Sequence, residues 1–315
     1  MMRFLARRTV HLFVALILLS LITFALLHAA PGGPARALLG PDQFAPDQIA
    51  KVEERLGLTE PLTTQMRKWM TSALTGDFGN SYFYRQSALS VVMSRVPSSL
   101  VLGFVATALA MVIGLPAGVM AAARPGRILD RIARSSAVVL IATPSFWLGI
   151  LLIFFFSVQL GWVPSSGTGR SGDRWLPSLQ HLILPAITLA LPAAASFMLY
   201  TRSAMVEAIA TDAVRTARGM GLPERKILFG HAFPQAIAPV LMQVGLFVPH
   251  LVEGSIVVET VFSWPGIGQL TSASVARRDY PILLGLTVLL GMATVLASTI
   301  TDIVHSRLDP RIELR

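Results

Sequence analysis

The 315-residue sequence predicts an all-α polytopic membrane protein of six transmembrane helices, with a small helical extracytoplasmic insert after the first span. Three observations predict this class. The chain is 53% hydrophobic and 14% charged, with a mean hydropathy of +0.64, whereas a soluble domain is about a quarter charged. The apolar residues fall in runs of about bilayer length. The basic residues gather at the ends of those runs, the pattern of the positive-inside rule. The formal charge of +9 therefore points to a lipid bilayer and not to nucleic acid. Cysteine is absent, which excludes disulfides, thiolate nucleophiles and cysteine-ligated metals.

Residues 1–30 carry Arg3, Arg7 and Arg8, then the apolar run Val10 to Leu27. A secretory signal peptide is the competing reading of that run, but Pro31-Gly32-Gly33 after Ala29-Ala30 is a poor cleavage context, so an uncleaved first span is expected. Residues 31–97 form a hydrophilic insert with two short helices. Pro46–Leu56 puts Ile49, Val52 and Leu56 on one face and stops at Gly57; Glu60–Ala73 does the same with Leu62, Met66, Trp69 and Ala73, and Gly76 follows. The region 98–308 holds five more spans, at about 98–122, 135–160 with Pro144 inside, 179–201 with Pro185 and Pro192, 236–251 and 282–303. Residues 309–315 make a tail. Gly103, Gly114, Gly118, Gly285 and Gly291 are read as points of close helix approach. Fifteen of the 26 basic residues then lie in the segments assigned to the inside, which puts both termini in the cytoplasm.

The polar stretch Glu207 to Pro234, EAIATDAVRTARGMGLPERKILFGHAFP, sits between the fourth and fifth spans. Ala210, Ala213, Val214, Ala217 and Met220 recur at helical spacing, with Asp212, Arg215 and Arg218 on the other face. Thr211 is placed to cap the helix start. Gly219 and Gly221 weaken the helix, Gly221 suits a left-handed C-terminal position, and Pro223 is placed to open a second helix. The stretch reads as helix, turn, helix.

This segment resembles the cytoplasmic coupling loop of permease subunits from binding-protein-dependent ABC importers, in the variant of the dipeptide, oligopeptide and nickel permeases (B-type subunit). Gly221 takes the glycine position, Pro234 the terminal proline, and RTARGMG stands where that subfamily has a similar run. Of the family's EAA only Ala217 matches, since Arg215 and Thr216 replace the first two residues. GLTEPLTTQMRKWMTSALTGDFGNSY and EGSIVVETVFSWPGIGQL resemble further segments of the same subfamily. The resemblance implies the type I ABC importer permease fold in a bacterial or archaeal inner (plasma) membrane. Its partners would be a second homologous permease as heterodimer, two cytoplasmic ABC ATPases and an extracytoplasmic substrate-binding protein. It also implies that Asp212, Arg215, Thr216, Ala217, Arg218, Gly219, Gly221, Pro223 and Pro234 belong to the ATPase-coupling loop.

Catalytic motifs are absent from the sequence. None of its three lysines follows a glycine, so there is no P-loop, and neither HExxH nor GxSxG occurs. The chain is expected to be no enzyme and to hold no cofactor or metal, with ATP and magnesium on the partner ATPases. His250, Glu253 and Glu259 lie at the outer end of the fifth span. They either line the translocation path or meet the binding protein, or they sit in a polar interface between helices; both roles are open at this point. The alternative function, a self-contained secondary transporter or channel, would need inverted repeats or mid-membrane carboxylates. Neither is visible. The substrates implied are peptides, di- or oligopeptides.

Overall fold

A computed structural model describes residues 2–30, 33–39, 46–169 and 178–308. Among these residues the chain is helical apart from turns and one isolated bridge between Asn80 and Ser87. It divides into two compact units, residues 1–97 with 266–296, and residues 98–265 with 297–314.

In the first unit, α1 (Met2–Ala29) is followed by the short helices α2 (Gly33–Leu38), α3 (Pro46–Arg55) and α4 (Leu62–Leu74). The insert thus holds one more helix than the spacing predicts, because α2 has no apolar periodicity to announce it. Gly57 and Gly76 take the positive φ expected of helix-ending glycines (70° and 82°). α4 buries Met66, and Trp69 and Phe78 join Val92, Leu270, Ile282 and Leu286 in a shared apolar cluster. A second tie is polar. Asp279, 1% exposed, accepts the hydroxyl of Ser81 and the backbone N–H groups of Tyr82 (3.2 Å) and Phe83 (3.3 Å). Arg277 stacks over the Phe83 ring at 3.6 Å. Burial pushes the Tyr82 phenol well above its ordinary range, and the Asp279 carboxylate pushes it the same way. Asp279 thereby fixes the 79–87 loop before the helices α12 (Ile267–Arg277) and α13 (Tyr280–Leu308).

The second unit is built around α5 (Ala88–Ala123) and α8 (Leu179–Ile209). Of the four long apolar helices among the described residues α8 is the most enclosed, with two-thirds of its apolar window buried. Its two prolines are accommodated inside the helix, as they are when neighbours re-satisfy the freed carbonyls. α5 approaches α8 closely: a Cβ on Gly114 would stand 2.5 Å from the Ala194 carbonyl oxygen, and one on Gly118 would stand 2.6 Å from Thr201 Cβ. Gly103, read from the sequence as another approach point, has nothing within 4 Å and does not serve that role. Next come α6 (Ile128–Ala142), α7 (Ser145–Leu152) and a π-helical turn, Ile153–Gln159. The stretch read as one span at 135–160 is bent at the proline read inside it: the two halves turn by 102° at Thr143-Pro144, where Pro144 takes an extended backbone (ψ 134°) and lacks the N–H that would continue the helix.

Among the described residues four helices are long and apolar enough to cross a membrane, Arg8–Ala29, Ala88–Ala123, Leu179–Ile209 and Tyr280–Thr301, and the bent pair supplies a fifth crossing when taken as one. α11 (Phe233–Val261) carries the stretch read as the fifth span.

A valine at Gly118 must displace packed atoms of α8, at about 1–3 kcal/mol. Gly118→Val is expected to lower the melting temperature of the detergent-solubilised protein, while Gly103→Ala leaves it unchanged or higher through better helix propensity. Equal effects of the two would contradict the close approach.

Candidate functional site

The loop after α8 folds as the spacing predicts: α9 (Asp212–Gly219), a turn, α10 (Glu224–Ile227), a π-helical turn Leu228–Ala232, then α11. The stop of α9 is a Schellman ending. Gly221 adopts φ 77°, its N–H bonds the Arg218 carbonyl at 3.0 Å and the Leu222 N–H bonds the Ala217 carbonyl at 3.4 Å, and Leu222 packs in the cluster that contains Ala217. Only a residue that accepts left-handed φ can close this turn without strain.

Two details differ from the sequence reading. Thr211 stands at the N-cap but makes no capping bond; its hydroxyl donates back to the Ala208 carbonyl (2.7 Å), the backward local bond that threonine competes for. Pro223 is the N-cap residue of α10, and Glu224 is the first helical position.

The loop is seated on the ends of α5 and α8. Val214, Ala217 and Ile227 are buried together with Val119 and Ala122 of α5, Met205 and Ala208 of α8, and Ala232 and Ala236 beyond the loop. The buried stripe is narrower than the periodicity suggests: Ala210, Ala213 and Met220 are exposed, Met220 by 75%. These small or terminal apolar residues belong to the outward face, which also carries Asp212, Arg215, Thr216, Arg218, Gly219, Gly221, Pro223 and Pro234. Arg215 pairs with Asp212 at 3.0 Å, and Arg218 holds Glu224 through two bonds of 2.7 and 3.2 Å. The Arg218 guanidinium keeps the Glu224 carboxyl below its usual range, so this tie is present at neutral pH and is lost as pH falls through that depressed value. Pro223, Arg225, Lys226, Phe229 and Gly230 line a shallow concavity of about 580 Å³, with Phe229 56% exposed. The outward face is thus a partly apolar surface with basic margins. Among the described residues no three His, Asp or Glu side chains cluster to hold a metal.

An ion pair that sequence spacing did not reveal sits next to this seat. Asp130, 1% exposed, accepts Arg202 Nε and an Arg202 terminal nitrogen (2.8 Å), and also the Gly126 N–H (2.7 Å). It joins the first turn of α6 to α8. The available signal was faint: one acid among four arginines, and one arginine just past a span.

At the other end of α11, Glu259 is fully buried. Ser99 of α5 donates to its Oε1 at 2.7 Å. Trp264, also fully buried, donates its indole N–H to the Ser98 carbonyl at 3.0 Å. The side chains of His250 and Glu253 lie outside the described residues.

Helices long and apolar enough to cross a membrane, with a helix-turn-helix seated across the ends of two of them, mark a membrane protein. The model for binding-protein-dependent transport system inner membrane components matches residues 114–314, and the N-terminal model of such membrane components matches residues 1–103. The oligopeptide transport system permease protein AppB of Bacillus subtilis (strain 168) is 36% identical over 316 residues, covering 99% of this chain and all of that protein. The glutathione transport system permease protein GsiC of Escherichia coli (strain K12) is 36% identical over 315 residues, covering both completely. Among solved structures, the inward-facing MetNI methionine ABC transporter matches with a TM-score of 0.58 at 22% identity, over 70% of this chain and 96% of that one. An amino acid ABC transporter crystallised with histidines matches at 0.54 and 19%, over 70% and 94%. The chain belongs to the family of binding-protein-dependent transport system inner membrane components. It is a multi-pass permease subunit of an ABC importer and not an enzyme. Its system includes separate ATPase subunits, which hydrolyse the ATP, and a substrate-binding protein.

Arg202→Ala would strand a buried carboxylate, a loss of about 3 kcal/mol or more. Thermal unfolding of the solubilised protein is expected to show that loss, and the double variant Asp130→Asn with Arg202→Gln is expected to recover much of it. Strictly additive single-variant effects would remove the pair from the account.

Proposed function

We propose that the chain forms half of a translocation path for di- or oligopeptides, paired with a second, homologous permease and driven by two cytoplasmic ATPases that grip the loop 207–234. On this reading the chain has six spans with both termini in the cytoplasm, and the 31–97 insert lies outside. Asp212, Arg215, Thr216, Ala217, Arg218, Gly219, Gly221, Pro223 and Pro234 form the coupling element. The peptide substrate is supported by the oligopeptide and glutathione permeases that match end to end.

The observation that carries coupling is the two-faced loop. One face is locked to α5 and α8 through Val214, Ala217 and Ile227. The other is exposed, cross-braced by ion pairs and closed by Gly221. A push on such a surface moves the ends of two spans, because interfaces this closely packed are not continuously deformable. Glu259, buried against Ser99, is assigned to the helix interface; no role is assigned to His250 or Glu253.

A side chain on Gly221 meets no atom of this chain within 4 Å, so its internal cost is only backbone strain, about 1–2 kcal/mol. Gly221→Asp is therefore expected to reach the membrane in normal amount, to lose peptide uptake and to co-purify with far less ATPase. Gly221→Ala, which carries the backbone strain with the smallest side chain, separates strain from docking: uptake retained by the alanine variant and lost in Gly221→Asp assigns the effect to contact with the ATPase. Normal uptake by Gly221→Asp would contradict the coupling role.

A further inference from the structure

In the first unit α1 and α4 enclose an open groove of about 730 Å³, within the ~300–1,000 Å³ of ordinary small-molecule sites. Leu21 and Ala25 of α1 form one wall. Leu62, Met66, Met70 and Leu74 form the other, four residues apart along a single ridge of α4. The polar groups that reach the groove are mostly engaged. Both His28 ring nitrogens have partners, the Phe24 carbonyl at 2.8 Å and Gln65 Oε1 at 3.3 Å. The Thr71 hydroxyl donates to the backbone carbonyls of its own helix. Arg67 is different. It lines the groove, is exposed, and has no ion-pair partner among the described residues.

The location limits what can fill such a site. The α1 wall is the last two turns of a helix apolar enough to span a membrane, with only 11% of its apolar window buried. α4 is 13 residues long, too short to span, and lies against that end. Its exposed Leu74 (79%) and Leu62 (53%) suit the headgroup–acyl boundary, where short amphipathic helices rest. At that depth an apolar channel meets lipid tails and a lone guanidinium meets lipid phosphates.

We infer that this groove is a specific phospholipid site: one acyl chain lies between α1 and the Leu62–Leu74 ridge, and Arg67 holds the phosphate. The bound lipid completes the packing of the insert on α1. The site is separate from the 207–234 loop and does not depend on its role.

The test uses the full chain with whatever partners it retains, in nanodiscs of phosphatidylethanolamine and phosphatidylglycerol carrying a trace of phosphatidylglycerol with a photoreactive acyl chain. Adducts are mapped by peptide mass spectrometry. Labelling is expected to concentrate in 21–29 and 62–74, above that of exposed span surfaces such as Val138, Val139 and Val158. Arg67→Gln, a surface change, is expected to reduce groove labelling about fivefold. Ala25→Phe, which fills the groove from an exposed position, is expected to abolish it while labelling at Val138, Val139 and Val158 persists. Groove labelling no higher than on those surfaces and unmoved by either variant would mean annular lipid only. Groove labelling of the chain alone that disappears when its partner subunits are present would mean that a subunit covers the groove. Either result overturns the inference.

Discussion

The closeness of α5 and α8 is the constraint on which the rest depends. Gly114 and Gly118 remove the side chains that would strike the Ala194 carbonyl and Thr201. Van der Waals packing can then act over the length of the contact, as it must where there is no hydrophobic drive between helices in lipid. Ala110, Ala190, Ala193 and Ala194 continue the same small-residue seam. Because the seam is tight, the ends of the two helices arrive together. Val119 and Ala122 stand beside Met205 and Ala208, and that platform is what Val214, Ala217 and Ile227 cover.

The loop is therefore an extension of a helix pair, and its stiffness has three sources. The buried face holds it to the platform. The Schellman turn at Gly221 fixes the angle between α9 and α10. The ion pair of Asp130 with Arg202 ties the start of α6 to the last third of α8. The exposed pairs Arg215–Asp212 and Arg218–Glu224 add little, since both are open to solvent; they order the outward face more than they stabilise it. A permease must transmit force from a soluble motor to buried helices, and an element with one locked face and one free face has the geometry for that work.

Much of this was legible in the sequence. The apolar run lengths located the long helices, and glycine and proline marked the turns at Gly57, Gly76 and Gly221. What was not legible has definite physical causes. Periodicity counts alanine and methionine as apolar wherever they fall, so Ala213 and Met220 were placed on the inner stripe although they are exposed. Pro144 announced a perturbed span, but whether a proline kinks a helix slightly or breaks it by 102° is set by what packs around it. Thr211 has the right identity and position for a cap, yet its hydroxyl chose the Ala208 carbonyl. The bonds of Asp130 to Arg202 and of Asp279 to Ser81 join residues 72 and 198 positions apart. Local pattern carries no trace of such separations.

The most direct measurement is a contact map of the loop's free face in the assembled importer. The chain has no cysteine, so Thr216→Cys, Met220→Cys and Phe229→Cys each supply a unique handle for a photoreactive maleimide. All three positions are exposed. The account predicts that illumination joins each of them to an ATPase subunit, with a yield that changes when ATP is added, while Ile128→Cys at the start of α6 is joined less. An intact complex in which none of the three reaches an ATPase would contradict the claim that this loop couples ATP hydrolysis to transport.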